Sequence, residues 1–471
     1  MKPSLSIFRE VLYRLSPTIA RFQHEVVNPD VTLAVNGFIK SIRRQKRVSF
    51  AVLTDGSHAQ GIQAVFLDTS LTDGLTNGMS VRLTGKIKSS PGQKQERELL
   101  VDAVEVLGGC DPETYPIQKQ TLSTEYLREN MHLRARTDNV SAMLRLRSRL
   151  MHSVMNYFNA QGFHFTHTPI LTGNDAEGAG QTFRLAQFAD PQPDRPNETS
   201  EFFGHPAHLT VSSQLHLEAL AWGLSRVYTL SPCFRAERSQ TNRHLAEFWM
   251  LEAEWMDVNQ EGVQGICGLV EDSLKSYASD VIGGQDVDVL WKDVNEVRRK
   301  TLEGSLAKAW ARVTYGDAIK ALQDAKDVTF EFEPRWGRTL QSEHEKWLSE
   351  YFFGGPVFIT DYPRDLKPFY MRANEDGETV GCFDLIVPYV GELVGGSVRE
   401  ERVDVLESKM RKDGLGMGKH EYGWYADLRR YGGSPHVGFG MGFERLVAWL
   451  GGIDNVRECV PMPRWASKML L

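Results

Sequence analysis

Apolar positions along the chain change their period more than once. Ile7, Val11 and Leu15, with Phe8 and Leu12 beside them, recur at helical spacing. From about Val26 to Leu107 the spacing becomes two: Val31, Leu33 and Val35 alternate, then Val48, Phe50 and Val52, then Ile62, Ala64 and Phe66. Asp55-Gly56, Asp73-Gly74, Asn77-Gly78 and Pro91-Gly92 punctuate these runs as turns. Five or six short strands in ~85 residues predict a small β-barrel over residues 25–110. Residues 111–139 read as a polar connector, opening on Asp111-Pro112 and holding Pro116. Helical spacing returns with Met143, Leu146, Leu150, Val154 and Phe158, stops at Gly162, and gives way to an extended stretch, Phe163 to Thr168, before Pro169. The remainder mixes long strand-like runs with helices and shows no βαβ alternation. This predicts an α+β domain over residues 140–471, built on an antiparallel sheet flanked by helices. Residues 280–345 carry little pattern and read as an insertion.

Composition narrows the class. The 471 residues are 41% hydrophobic and 24% charged, which excludes a mostly disordered, collagen-like or disulfide-scaffold chain. No apolar run approaches the ~18 residues of a membrane span, so no membrane partner is expected. Cys110, Cys233, Cys267, Cys382 and Cys459 are scattered and form no CxxC pair, which fits free thiols better than disulfides or zinc.

Net charge is −7, but unevenly placed: residues 1–110 carry 14 basic against 10 acidic residues, leaving 40 against 51 in the rest. A basic front on an acidic body can dock a polyanion locally. Residues 1–24 hold Lys2, Arg9, Arg14 and Arg21 against Glu10 alone. That start fits either a mitochondrial presequence or a helix packed on the first domain. Within the barrel, Arg43, Arg44, Lys46 and Arg47 precede Phe50. Cations beside an aromatic face suit an unstacked base; a solvated hairpin followed by a core Phe would look the same.

Three later segments concentrate chemistry. The first runs Phe234-Arg235-Ala236-Glu237, then Arg243-His244-Leu245-Ala246-Glu247-Phe248 and on to Glu252 and Glu254. It reads as two strands joined by a loop, with more charge than a buried hairpin tolerates unless it faces a ligand. Arginine suits phosphate through its planar fork. The second, Gly391-Glu392-Leu393-Val394-Gly395-Gly396-Ser397-Val398-Arg399, lets backbone approach a ligand and places a carboxylate for a hard cation such as Mg²⁺. In the third, Gly438-Phe439-Gly440-Met441-Gly442-Phe443-Glu444-Arg445, alternate glycines lead into a helix, a natural phosphate site. It is neither a Rossmann GxGxxG nor a GxxxxGK[ST] loop.

Together these segments resemble the signature motifs of class II aminoacyl-tRNA synthetases. The FRxE hairpin with its later Arg-His and Phe is similar to motif 2, GxGxGxER to motif 3, and helix 141–160 with the strand before Pro169 to motif 1, which builds the dimer interface in that family. An N-terminal OB-fold ahead of the class II domain marks the aspartate, asparagine and lysine subgroup. Asp175–Gly180, Leu209–Leu215, Arg243–Met250 and Trp424–Gly432 resemble its asparaginyl branch. Aspartyl relatives carry a lysine shortly after the Gln-Leu pair; here Gln214-Leu215 leads to His216, Leu217 and Glu218.

The resemblance implies an asparagine–tRNA ligase working as a homodimer on ATP, L-asparagine and tRNA-Asn with Mg²⁺. Its nearest alternative is a non-discriminating aspartyl enzyme. Arg235 and Arg445 would neutralise the α- and γ-phosphates, Glu392 would hold Mg²⁺, and these three are the expected catalytic groups. Glu237 would accept from the adenine amine, Phe248 stack under its ring, and Arg243 and His244 close over the triphosphate; Leu245, Gly442 and Glu444 complete the ATP set. Arg399 would donate to the side-chain amide oxygen and Glu252 accept from its nitrogen. Glu177 and Gln214 would hold the α-amino end, with Ser212 and Arg235 beside them. Arg43, Phe50 and Gln63 would read the anticodon. The compact length and basic start point to the mitochondrial matrix, with the cytoplasm as the alternative.

Overall fold

The computed structural model describes residues 16–24, 30–92, 95–174, 182–186, 201–239, 241–418 and 421–471. Most of the expected presequence (residues 1–15) and Glu177 with its neighbours lie outside the described residues. Two compact units are present, one ending at Arg145 and one spanning Leu146–Leu470.

The first unit is a closed barrel of β1 (Thr32–Arg43), β2 (Ser49–Thr54), β3 (Ile62–Phe66), β4 (Ser80–Ser89) and β5 (Arg97–Gly108), in the order β1-β2-β3-β5-β4. Alternation works as the sequence indicates: Val35, Ile39, Ala51, Leu53, Ile62, Ala64, Val81, Leu83 and Leu99 turn inward and are buried. A bulge between Ile39 and Ser41 bends the long β1 so that it pairs with both β2 and β4, and the parallel β3–β5 pair closes the ring.

The short helix Ile19–His24 packs into this barrel core through Ile19 and Phe22. It is tied there by the Ile19 amide donating to Asp55 Oδ2 at 2.8 Å and by Arg97 donating to the Phe22 carbonyl at 2.7 Å. The stretch expected as a possible presequence, residues 1–24, thus includes this packed helix.

In the second unit, helix Asp138–Ala160, whose first residues belong to the preceding unit, buries Met143, Leu146, Leu150, Val154 and Phe158. After it come β6 (His164–Phe165), β7 (Leu171–Thr172), β8 (His208–Leu209), β9 (Arg226–Phe234), β10 (Glu247–Met256), β11 (Ala311–Thr314), β12 (Val357–Thr360), β13 (Cys382–Val387), β14 (Gly391–Val398) and β15 (His436–Gly442). Among the described residues they form a sheet ordered β11-β12-β13-β14-β15-β10-β9-β6, with β7 and β8 paired separately. Its interior is antiparallel; only the outer pairs β11–β12 and β6–β9 are parallel.

Residues 280–345, read above as an insertion, are built into the second unit. They supply β11 at the sheet edge, and Tyr315, Ala318, Ile319, Leu322 and Leu340 enter the main core. The sequence hid this because Ala311-Arg312-Val313-Thr314 is too short and polar to show a period, and an edge strand needs none.

Sheet register builds the floor of the site. On β15, Gly438, Gly440 and Gly442 stand directly opposite Glu254, Glu252 and Met250 of β10. Gly395 of β14 pairs with both Gly440 and Asp384 of β13. With a period of two, the glycines share one face with the carboxylates, while Phe439 and Met441 fill the opposite face and are buried.

Candidate active site

All ten residues expected to meet ATP line one cleft above this floor. Arg235 leaves the end of β9 and its guanidinium lies 5.3 Å from the centre of the Phe248 ring. A planar cation thus sits beside an aromatic face, as a phosphate next to a base requires. Glu237, Arg243 and His244 lie on the β9–β10 loop. His244 Nε2 is 3.4 Å from Glu237 Oε2. Burial lowers the His244 pKa, and Arg445, Arg235 and Arg243 lower it further, against the raising effect of Glu237. At neutral pH the imidazole is therefore uncharged, and the positive field comes from the three arginines.

Arg445 opens the helix Phe443–Gly451, where the backbone already favours anions. It donates to the Glu392 carbonyl and stands 3.8 Å from the Glu392 carboxylate. Its neighbour Glu444 is also one of the ten. It borders the cleft, but its carboxylate is 2.8 Å from Arg147 and accepts the Trp249 amide at 3.0 Å. It fastens the three motifs together, because Arg147 lies on the long helix and Trp249 on β10.

The expected asparagine ligands Ser212, Gln214, Arg235, Glu252 and Arg399 line an adjoining cavity, which shares Arg235, Glu237, Met250, Glu392 and Gly440 with the cleft. The two ligand sites are therefore continuous. Glu252, 3% exposed, accepts the Ser213 amide at 2.9 Å and the Ser212 hydroxyl at 2.5 Å; burial raises its pKa. Arg399, 2% exposed, gives Nε and Nη2 to Glu254 and Nη1 to Ser397 Oγ, which leaves N–H groups on both Nη atoms. Gln214 Nε2 donates to Glu218 at 3.1 Å, freeing its carbonyl oxygen to accept from an ammonium group.

Sequence reasoning missed several members of this site. Lys367 and Asp384 line the cavity as an ion pair at 2.7 Å. Glu345 reaches Arg243 from the segment read as an insertion. Glu254, which the sequence places in the first chemistry-bearing segment without a role, shares one strand face with Glu252; Lys367, Asp384 and Glu345 sit in segments with no such signal.

Two carboxylates flank Gly395 between β13 and β14. A Cβ added to Gly395 would lie 3.3 Å from Glu392 Oε1 and 3.5 Å from Asp384 Oδ1, so glycine keeps the space between these carboxylates open. Among the described residues no three His, Cys, Asp or Glu side chains converge as a metal site. This donor set suits Mg²⁺, which takes one or two carboxylates and completes its shell with phosphate oxygen and water.

On the barrel, Arg43 pairs in register with Phe50, and Val52 with Gln63, so all three expected anticodon residues share the outer face of β1-β2-β3. Arg43 is exposed and Phe50 half-buried, while Ser49, Ala51 and Leu53 point inward. Gln63 is 3.2 Å from Glu98. Arg44 is not a free cation: it donates to the Thr72 and Leu75 carbonyls and serves the fold.

A cleft of three arginines joined to a second polar cavity, on a mostly antiparallel sheet, defines a class II synthetase site. The chain belongs to the tRNA synthetases of class II for aspartate, lysine and asparagine, whose family model matches residues 123–466; an OB-fold nucleic acid binding domain matches residues 33–107. It is 44% identical over 454 residues to the asparagine–tRNA ligase of Desulfotalea psychrophila, covering 95% of this chain and 96% of that protein. It is 42% identical over 457 residues to the asparagine–tRNA ligase of Protochlamydia amoebophila, covering 94% and 96%. Among solved structures, asparaginyl-tRNA synthetase from Pyrococcus horikoshii, complexed with asparaginyl-adenylate, matches with a TM-score of 0.83 and 28% identity over 97% of this chain and 99% of that one.

Proposed function

We infer that this chain is an asparagine–tRNA ligase, which activates L-asparagine with ATP and transfers it to tRNA-Asn. The observation that carries this reading is the cavity beside the nucleotide cleft: Glu252 and Arg399 offer an acceptor and a donor, and its ammonium, Lys367, is already held by Asp384. A neutral amide needs one donor and one acceptor. The aspartyl alternative would need a cation free to meet the substrate's side-chain carboxylate.

In the first step an α-carboxylate oxygen of asparagine attacks the ATP α-phosphorus, the new O–P bond forms, and the bond to the β-phosphate breaks to release pyrophosphate. Such transfers depend on positioning and charge stabilisation. Arg235, placed between the two sites, neutralises the α-phosphate. Phe248 stacks on adenine and Glu237 accepts from its amine. Arg243, with His244, closes over the triphosphate, and Arg445 meets its far end. Glu392 would hold Mg²⁺, which would supply Lewis-acid charge neutralisation on the phosphates. Gln214 orients the α-amino group, with Glu177 as the expected partner. The tRNA's terminal ribose hydroxyl then attacks the adenylate and releases AMP.

Two further features belong to this reading. Met151, Met155, Phe165, Ile170 and Leu171 are exposed apolar residues on and after the long helix, which supports burial in a homodimer. Light scattering should give twice the 53.2 kDa chain mass, and a monomer at micromolar concentration contradicts it. The basic start supports the mitochondrial matrix, against the cytoplasm; a reporter fused to residues 1–18 that stays outside mitochondria rejects it. The ligase reading itself is tested by charging. Purified enzyme should load radiolabelled asparagine onto tRNA-Asn, and absence of acid-precipitable product overturns it.

A further inference from the structure

Behind the amino-acid cavity lies a carboxylate that the sequence presents as an ordinary helix residue. Glu218, on the helix Gln214–Leu224, is fully buried. It accepts the Tyr425 hydroxyl at 2.7 Å, Arg429 Nη2 at 2.7 Å and Gln214 Nε2 at 3.1 Å, and lies 2.9 Å from His436 Nε2. Its Oε1 also stands 3.9 Å from Nε of Arg399. Gln214 and Arg399 line the cavity. Glu218 thus acts on the substrate pocket through two of its walls without lining it.

Carboxyl groups flank Arg399 on both sides. Glu254 pairs with it from one side and Glu218 approaches from the other, while Glu252 follows the same strand face as Glu254. Two buried guanidiniums, Arg399 and Arg429, therefore sit among three buried carboxyl groups. Burial works against ionisation of Glu218, but Arg429 and His436 hold its carboxyl well below the usual range. Arg399 keeps N–H groups to donate, yet carries little uncompensated charge. An amide oxygen asks only for the donor. A carboxylate of the same shape asks for a free cation and meets the charge of Glu218 instead, while burial pushes the Glu254 carboxyl up to about 8.

We propose that Glu218 is a specificity-determining positioning residue, which neutralises Arg399 from behind and fixes Gln214, so that the pocket accepts a carboxamide and rejects the matching carboxylate. This inference rests on the asparagine reading. Of His216, Leu217 and Glu218, which follow Gln214-Leu215, it is the last that brings a carboxylate to this place.

Pyrophosphate exchange is measured for the full chain and for Glu218→Gln with asparagine and with aspartate, each over a range of ATP. The variant should raise the aspartate-to-asparagine ratio of kcat/KM about tenfold or more, mainly through a lower KM for aspartate, with KM for ATP unchanged. An unchanged ratio overturns the proposal, whether asparagine activation is retained or falls with that of aspartate, because a purely structural role moves both together. If Glu218→Gln fails to fold, Glu254→Gln decides: the same rise supports charge neutralisation of Arg399, and no rise refutes it. A wild-type enzyme without asparagine-dependent exchange instead refutes the function, and so separates the two failures.

Discussion

Arg243 of the β9–β10 loop is tied to Glu345, Nη1 to Oε2 at 3.2 Å, and the pair occupies the space above Gly391, where an added Cβ would lie 2.6 Å from an atom of each. A nucleotide-facing arginine is therefore held, before ATP arrives, by a short polar helix, Ser342–Lys346. Burial first, then Glu392, push the Glu345 carboxyl up from 4.5 to about 7, against the pull of Arg243. A carboxyl whose pKa rises on folding binds its proton more tightly in the folded chain. Its favourable contribution is complete below about pH 4.5 and is lost as pH rises through about 7. Glu345→Gln removes this titration. Between pH 5 and pH 8 the wild type should lose more stability than the variant, by on the order of 3 kcal/mol. Urea unfolding of both proteins at the two pH values checks this; equal pH dependence contradicts it.

Arg147 and Glu444 join the long helix to the helix that opens with Arg445. Removing one partner of a buried ion pair leaves the other uncompensated. Arg147→Ala should cost about 3–5 kcal/mol of stability. The guanidinium also donates to the Cys459 carbonyl at 3.0 Å and lies 4.8 Å from the Phe443 ring centre, so lost packing adds to the effect. Chemical denaturation should show a large fall in midpoint; a change under about 1 kcal/mol, typical of an exposed pair, would show that Glu444 is not anchored this way.

Gly438 connects the third motif to the amide-binding cavity. A Cβ there would meet Glu254 Oε1 at 2.1 Å, and Glu254 cannot withdraw without leaving Arg399. Gly438→Ala should raise KM for asparagine at least about tenfold while KM for ATP changes little, since displaced supporting groups cost about 1–3 kcal/mol. Steady-state exchange kinetics with each substrate varied in turn provide the check. An equal effect on both substrates would mean that the strand, rather than the pocket, had moved.

Phe50 presents a half-buried ring on the outer face of the barrel beside Arg43. Loss of one base-stacking platform costs about 1–3 kcal/mol. Phe50→Ala should raise KM for tRNA by roughly tenfold or more and leave asparagine-dependent pyrophosphate exchange unchanged. Normal charging kinetics for this variant would remove Phe50 from the RNA-binding face.

The barrel, the long helix and the three motif segments were legible because period and chemistry agree there. Val35, Ala51 and Leu53 alternate with exposed neighbours, and Arg235, Glu237, Arg243 and His244 carry charge that a strand-loop-strand hairpin cannot bury idly. What escaped was fixed by distant packing. β11 is four residues at a sheet edge, and the helix bearing Glu345 reads Ser-Glu-His-Glu-Lys with no apolar face, so neither has a local signature. Arg44 looked like a phosphate contact because its backbone acceptors, Thr72 and Leu75, lie some thirty residues away. Glu218 was visible only as an absence of lysine nearby; that its carboxylate lies behind Arg399 depends on β14, β15 and the helix Gly423–Arg430 meeting around it.

The most direct measurement is ATP–pyrophosphate exchange by the purified full-length enzyme with L-asparagine and L-aspartate compared at equal concentration. Asparagine should drive exchange and aspartate should give a rate near background. Exchange supported equally by aspartate, or by neither amino acid, would contradict a pocket built around a neutral side chain.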